Sequence, residues 1–344
     1  MNAMTMNKLP ALLTMLCLSI TASCYASADA QPVAVEQRVV LVVDEIHAIR
    51  NFPVVLADRL GYLKDGNMAV TVMNVRYDAW HGDMLMDGRV DAVMAYYHHN
   101  IVNHSIGRDT QAIITLGVTP GMKVLVSNQA KDKIRTLADL KGSHIISGGA
   151  GSSKSTIANY LVRAGGNPIS SYTRLGTDGK DRNTESLRQG NADLLIAPVP
   201  EGEFYVDQGL ASVFVDLTTV EGTKMTLGSL FPSSTIFMSS ERIKAHPEMA
   251  QHLANAFVRT LKFINTHSAE EIAALIPVEV SGKDRVAYLK TLRQQMGMFA
   301  TDGMMPVDGA KNEWQVLADF NSQYGNVLPE KTYTNRFVIE ANRH

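Results

Sequence analysis

A glycine-rich stretch carries the residues of this sequence that are best suited to holding an anion. It reads Gly148-Gly149-Ala150-Gly151-Ser152-Ser153-Lys154-Ser155-Thr156 and leads into a predicted helix over residues 152–164. Glycines let a ligand approach the backbone closely, and a helix N-terminus presents free N–H groups at the positive end of its dipole. The hydroxyls of Ser152 and Ser153 and the ammonium of Lys154 add further donors. This combination favours a carboxylate, a sulfonate or a similar oxyanion.

Two other interpretations of this stretch are possible. The phosphate-binding pattern G-x-x-x-x-G-K-[ST] is nearly met from Gly148, but Ser153 stands where its second glycine belongs. No companion acidic strand accompanies it, so a nucleotide-hydrolysing site is not favoured. The stretch could also be a capped helix start that binds no ligand, and the sequence leaves that alternative open.

The loops after the first two predicted strands add polar and aromatic candidates. Arg50 could hold an anion through two parallel hydrogen bonds, and His47 could donate to the same ligand. Asp44 could instead pair with Arg50, which would remove both from the site. Trp80 and His81 follow the second strand, where an indole can stack on a flat ligand. Packing of Trp80 in the core is the alternative.

An aromatic and imidazole cluster follows the third predicted strand. It reads Tyr96-Tyr97-His98-His99-Asn100, and side-chain types of this kind at the end of a strand suggest ligand contact. In the second half of the chain, Asp178 and Glu201 come after the equivalent strands. Glu201 could recognise a ligand amine or close the site by pairing with Arg50 or Lys154.

Metal binding and catalysis are weaker interpretations of the same residues. His98, His99 and His104, with His47 and His81 as possible neighbours, could bind zinc or copper, but their spacing does not align them on one helix face. There is no G-x-S-x-G or H-E-x-x-H motif and no cysteine after residue 24, so we expect no enzyme activity and no cofactor. No spacing supports a triad built from Ser153, His98 and Asp178.

Composition and the N-terminus narrow the class of protein. The 344 residues are 45% apolar with a net charge of −2, and no basic stripe suited to nucleic acid stands out. Residues 1–30 have the short apolar run and the A-x-A sites of a signal peptide, so we expect a periplasmic protein cleaved near Ala28 or Ala30. Lipid attachment at Cys24 is the minor alternative. No later stretch is long enough to span a membrane.

The rest of the chain alternates strand and helix signals in two similar rounds. Residues 39–95 give strand, helix, strand, helix, strand, and residues 141–197 repeat that order. This order predicts parallel sheets with right-handed crossovers, an α/β fold in two lobes. We expect residues 31–122 and 238–344 to form lobe 1 and residues 123–237 to form lobe 2. Two crossing segments would make a hinge, with additional helices at the C-terminus.

These elements resemble the periplasmic solute-binding proteins of ABC importers, of the nitrate, sulfonate and taurine type. The resemblance rests on the signal peptide and on four segments, which are residues 53–66, 88–92, 137–142 and 151–153. Among them, Leu137-Ala138-Asp139-Leu140-Lys141-Gly142 is moderately specific.

The resemblance implies the type II periplasmic-binding-protein fold, a ligand held between two lobes and delivery to an ABC permease in the inner membrane. We expect a monomer. The aromatic and histidine-rich first lobe favours an aromatic carboxylate or sulfonate over bare nitrate. A pyrimidine-type thiamine precursor and a metal-binding or sensor-type receptor are the alternatives.

Overall fold

The computed structural model describes residues 37–43, 46–65, 67–75, 81–176 and 179–343, without the side chains of residues 65 and 81. The predicted signal peptide, Cys24, Asp44, Trp80, Asp178 and the side chain of His81 lie outside these described residues. None of the helices in the described ranges combines the length and the apolar composition that a membrane span needs.

Strands and helices alternate along most of the described chain. The strands are β1 (Gln37–Val43), β2 (Lys64–Asp65), β3 (Met68–Asn74), β4 (Ala92–Tyr96), β5 (Thr110–Thr115), β6 (Met122–Ser127), β7 (His144–Ile146), β8 (Thr173–Leu175), β9 (Leu194–Pro198), β10 (Ala211–Leu217) and β11 (Ser234–Ser239). The helices are α1 (Phe52–Arg59), α2 (His81–Met86), α3 (His98–Ser105), α4 (Ser153–Ala164), α5 (Lys180–Gln189), α6 (Glu201–Asp207), α7 (Val220–Leu227), α8 (Ser240–Ala245), α9 (Pro247–Thr266), α10 (Ala269–Leu275), α11 (Val278–Ser281), α12 (Arg285–Gln295), α13 (Val307–Phe320) and α14 (Arg336–Ala341).

The strands form two sheets that share one internal arrangement. The first sheet has the order β2-β3-β1-β4-β11-β5, and the second has the order β10-β6-β9-β7-β8. In each sheet the first strand of a round lies between two parallel neighbours, β1 between β3 and β4, and β7 between β8 and β9. An antiparallel strand then follows, β11 in the first sheet and β6 in the second. The predicted α/β fold with two lobes is confirmed.

Two chain crossings connect the sheets. The chain leaves the first sheet after β5 and enters the second as β6, and it returns after β10 to add β11 to the first. The predicted crossing segments are therefore interior strands, each hydrogen-bonded on both sides. The lobe limits at residues 122 and 238 remain a prediction.

The C-terminal helices complete the hydrophobic core. Buried side chains of α9, α10, α12 and α14 pack with those of the first sheet. Helix α13 contributes to both sides, because Ala310 and Leu317 join apolar residues of the first sheet while Val316 joins those of the second. An ion pair of 2.8 Å between Arg163 on α4 and Asp319 on α13 lies at the same contact. Helix α13 thus bridges the two halves of the structure.

The sequence echo between the two rounds has a structural cause. Asp91 accepts a hydrogen bond of 2.8 Å from the backbone N–H of Val40 in β1, and Asp193 accepts one of 2.8 Å from the N–H of His144 in β7. Asp91 immediately precedes β4 and Asp193 immediately precedes β9. The hydrogen bond of each aspartate therefore connects that strand to its parallel neighbour, β1 or β7. The glycines at the ends of the preceding helices, Gly88 and Gly190, have φ values of 74° and 71°, which favour glycine.

Removing the first of these aspartates should destabilise the protein more than removing the second. Asp91 is buried and also pairs with Arg242 at 2.5 Å, whereas the side chain of Asp193 is 27% exposed. We expect Asp91→Ala to lower the free energy of unfolding by about 2–3 kcal/mol and Asp193→Ala by about 1 kcal/mol, measured by urea unfolding. The exposed Asp132→Ala is the control and should cost less than about 0.5 kcal/mol. Equal effects of all three variants would contradict the assigned role.

Candidate functional site

The carboxyl ends of the parallel strands in the two sheets meet at one place. Strand β4 ends at Tyr96 and leads into α3, and β7 leads through the glycine-rich stretch into α4. The Tyr96 hydroxyl donates to the carbonyl oxygen of Pro120 at 3.2 Å, next to the first crossing. The His98 Nε2 atom lies 3.2 Å from the carbonyl oxygen of Gly151, so the two halves touch directly.

A small recess lies beside this contact. It has a cavity volume of about 20 Å³ and lies between the loop after β1, the end of β4, the first crossing, the end of β9 and the end of α12. This is room for about one water molecule, so a larger ligand requires the recess to widen. Its walls are formed by Ala48, Ile49, Arg50, Tyr96, Pro120, Gly121, Pro198, Val199, Gln295 and Met298. In α/β sheets this edge, beyond the carboxyl ends of the strands, is where ligands bind.

Two polar side chains give the recess its chemistry. The Arg50 guanidinium carbon lies 5.2 Å from the centre of the Tyr96 ring, a cation–π arrangement that orients the cation. Gln295 is only 2% exposed, and its amide Nε2 is buried with no hydrogen-bond partner. A buried amide without a partner costs free energy, which a ligand oxygen would recover. An arginine and an amide N–H in one recess suit an oxyanion.

Sequence reasoning missed Gln295 because it ends a helix nearly 250 residues from Arg50. Gly121 was also missed. Its φ of 64° favours glycine, and a Cβ there would lie 2.9 Å from Met298 Cε and 3.1 Å from Gln295 Oε1. A glycine at this position keeps the recess open. The only sequence signal for Gly121 was its position directly before Met122, where the predicted crossing segment begins.

The glycine-rich stretch forms the predicted helix start. Ser152 caps α4, since its hydroxyl oxygen accepts from the Ser155 N–H at 3.2 Å and its hydroxyl donates to the carbonyl oxygen of Ser147 at 3.1 Å. Ser153 is the half-buried first residue of α4. The Ser147 hydroxyl is buried without a partner. The Ser152 hydroxyl therefore shapes the loop, and Ser153 remains the better candidate for a ligand.

Lys154 and Glu201 lie close together, as one of the predicted pairings requires. Lys154 Nζ is 3.8 Å from Glu201 Oε2. Glu201 also accepts from the Tyr205 hydroxyl at 3.4 Å. Both residues follow strands of the second sheet, so the pair joins two loops of one sheet and does not close the two halves against each other.

The remaining predicted residues have varied surroundings. His47 is exposed in the loop after β1. Tyr97 is fully buried, and its hydroxyl lies 2.6 Å from the Thr332 hydroxyl. Burial raises the pKa of the Tyr97 phenol well above its usual range. This places Tyr97 in the core and away from the recess. Trp80, Asp178 and the His81 side chain are outside the described residues.

The histidine-rich segment forms a helix, α3, and its imidazoles point to different neighbours. His104 Nε2 lies 2.7 Å from the carbonyl oxygen of Thr110. His98 is completely buried, with Nδ1 at 3.6 Å from Glu313 Oε1. The centre of its ring lies 4.1 Å from that of His99, with the two ring planes tilted by 39°. Within the described ranges no group of three or more histidine, cysteine, aspartate or glutamate residues is arranged to hold a metal ion.

Comparisons with known proteins agree with this architecture. A family model described as NMT1/THI5 like matches residues 49–271, while no curated protein matches the sequence. A solved structure from Bordetella bronchiseptica is 26% identical, with a TM-score of 0.75 over 89% of this chain and 97% of that chain.

Two further solved structures are similar to this chain. One is the periplasmic aliphatic sulphonate binding protein SsuA of Escherichia coli, at 15% identity and a TM-score of 0.67, covering 85% of this chain and 95% of that one. The other is the periplasmic nitrate-binding protein NrtA of Synechocystis, at 13% identity and a TM-score of 0.65, covering 89% of this chain and 88% of that one. The chain therefore belongs to the NMT1/THI5-like family and has the fold of the periplasmic binding proteins.

Proposed function

We propose that this protein is an extracytoplasmic solute-binding protein that captures a small organic anion and delivers it to an ABC permease. The observation that carries the proposal is the recess at the meeting edge of the two sheets. There the Arg50 guanidinium lies beside Tyr96, and the Gln295 amide N–H has no protein partner. Similarity to sulfonate-binding and nitrate-binding periplasmic proteins supports the same ligand chemistry.

The ligand class follows from the walls of the recess. An anionic oxygen pair or triad would face Arg50 and Gln295. The Tyr96 ring and the apolar side chains of Val199 and Met298 supply flat, nonpolar surface. Nitrate needs little such surface, so an aromatic carboxylate or sulfonate is the favoured ligand. A pyrimidine-type precursor is the alternative, and it would not need the arginine.

Capture would work through the two halves of the structure. A ligand that contacts residues after β1 and β4 on one side and after β7 and β9 on the other stabilises the closed arrangement by its differential contacts. The closed form would then dock on the permease. The signal peptide predicted over residues 1–30 would place the protein in the periplasm, where we expect it to act as a monomer.

Thermal unfolding of the chain from residue 31, refolded to remove bound ligand, tests the proposal. The panel contains nitrate, taurine, benzenesulfonate, benzoate, a hydroxymethylpyrimidine, zinc and copper. At a hundred times its dissociation constant, a true ligand adds about 2.7 kcal/mol and raises the melting temperature by a few degrees. We expect this shift for the aromatic anions and expect Arg50→Ala and Gln295→Ala to abolish it.

The control is the exposed Arg59→Ala on α1, which removes the same charge outside the recess and should leave the shift unchanged. A shift with metal ions alone would contradict the oxyanion site. A shift that survives both Arg50→Ala and Gln295→Ala would place the ligand elsewhere.

Filling the recess from its glycine wall should also block binding. In Gly121→Ala the new Cβ meets Met298 and Gln295, so we expect ligand affinity to fall at least tenfold and stability by about 1 kcal/mol. Gly107→Ala is the matched control, because Gly107 has a φ of 80° and nothing within 4 Å of a Cβ. It should lose similar stability and keep its affinity. Calorimetric titration with benzenesulfonate measures both variants, and equal affinities would contradict the assigned role of Gly121.

A further inference from the structure

A buried acid and a buried imidazole lie where α3, α13 and the glycine-rich stretch meet. The side chains of His98 and Glu313 are both 0% exposed, with His98 Nδ1 3.6 Å from Glu313 Oε1. The other ring nitrogen, Nε2, lies 3.2 Å from the carbonyl oxygen of Gly151. His98 is therefore placed between a carboxyl group on one side and a backbone acceptor from the second sheet on the other.

The number of protons on this pair decides whether both contacts can form. Gly151 offers only a carbonyl oxygen, so Nε2 must carry a proton to bond to it. The 3.6 Å between Nδ1 and Oε1 is longer than a hydrogen bond, and neither Glu313 oxygen has another partner among the described residues. On closer approach a protonated Glu313 would donate to Nδ1, or an imidazolium would donate through Nδ1 to an ionised Glu313. Either arrangement holds one proton more than a carboxylate beside a neutral imidazole. Without that proton the imidazole has a single N–H and faces two acceptors, the Glu313 carboxylate and the Gly151 carbonyl oxygen. The N–H is then on Nδ1 and donates to the carboxylate, so the hydrogen bond from Nε2 to Gly151 is lost.

We propose that His98 and Glu313 form a proton-operated latch, in which a proton shared by the pair permits the His98–Gly151 contact and so holds the two halves of the protein closed. In this role Glu313 is a positioning residue that acts through His98. The latch rests on the proposed function only in requiring that the two halves open and close, and it involves neither Arg50 nor Gln295.

The other ionisable groups around the pair are few. They are the phenols of Tyr96, Tyr97 and Tyr160, the ring of His99, and the Arg163–Asp319 ion pair farther along α13. Burial raises the pKa of Tyr97 and of Tyr160 well above the usual range, so neither phenol ionises near neutral pH. Among the side chains that the structure describes, His99 is the neighbouring imidazole, and it needs its own control.

The direction of the pH effect follows from burial. Loss of hydration raises the pKa of the Glu313 carboxyl to about 7, although His98 opposes the rise. In an open, hydrated form the Glu313 carboxyl would ionise near its usual pKa, well below its pKa in the closed form. Closing near neutral pH therefore takes up one proton. The closed form should be favoured at low pH and should weaken as the pH rises through 7, by up to tenfold in the closing equilibrium per pH unit.

Fluorescence energy transfer can measure closing without any ligand. Residues 31–344 contain no cysteine, so Asn74→Cys and Asp181→Cys supply two unique labelling sites. Both are exposed, one at the end of β3 and the other at the start of α5. We expect the closed fraction to fall between pH 6.5 and 9 in the otherwise unchanged protein. A closed fraction that stays constant over this range would overturn the latch.

Three further variants of the labelled protein assign the effect to the pair. The amide of Glu313→Gln can donate to Nδ1 as the carboxylic acid does, so this variant should stay closed from pH 7 to 9. Asp308→Asn, an exposed acid-to-amide change on the same helix, should keep the pH dependence. His99→Gln should keep it too. Persistence of the pH dependence in Glu313→Gln would refute the proposal, as would its loss in His99→Gln.

Nitrogen-15 NMR of the histidine rings gives a readout that does not depend on any Glu313 variant folding. The His98 signals are identified by their loss in His98→Gln. We expect Nε2 to be protonated at pH 6 and unprotonated at pH 9, and a proton that stays on Nε2 at pH 9 would exclude the latch. If the aromatic anions fail to shift the melting temperature while this switch is present, the proposed ligand is wrong and the latch stands.

Discussion

Every candidate ligand contact depends on where the chain crosses between its two sheets. Each crossing is followed by a strand that enters the interior of the sheet it reaches and runs antiparallel to its neighbours there. An interior strand is hydrogen-bonded on both sides, so each crossing is anchored where it joins a sheet. The crossings direct the carboxyl ends of the parallel strands in both sheets towards one recess. Arg50 and Tyr96 from the first half and Pro198 from the second line that recess for this reason.

Local patterns predicted most of the fold. Runs of β-branched residues predicted the parallel strands, for example residues 39–43 in β1. Glycines correctly predicted where α4 and α5 end. Strands β5 and β10 were not predicted, and no helix was predicted after the third strand, where His98–Ser105 forms α3. The sequence of β5, Thr110–Thr115, has only three apolar residues between polar ends, and its burial comes from tertiary partners such as Tyr333 and Met305.

The site was predicted only where its residues follow strands. Arg50 and Tyr96, which line the recess, were selected this way because the topology rule names the loops at carboxyl ends. Their contact with a ligand stays a prediction. Gln295 and Glu313 belong to C-terminal helices. From sequence alone, a single polar residue in such a helix is assigned to its solvent-exposed face. Only the packing of α12 and α13 turns them inward. Conversely, Tyr97 was grouped with its neighbours as a ligand contact, yet consecutive residues at the end of a strand point to different sides, and Tyr97 points into the core.

The paired aspartates and the recess lie at opposite edges of their sheets. Asp91 and Asp193 precede their strands, so their backbone hydrogen bonds and the Arg242 ion pair hold the amino ends together. The polar residues around the recess come after the carboxyl ends. Substitutions that alter ligand preference therefore act on loops at the opposite end of the strands from these hydrogen bonds. The architecture separates what keeps the protein folded from what it recognises, so the binding edge can change its chemistry while the scaffold keeps its stability.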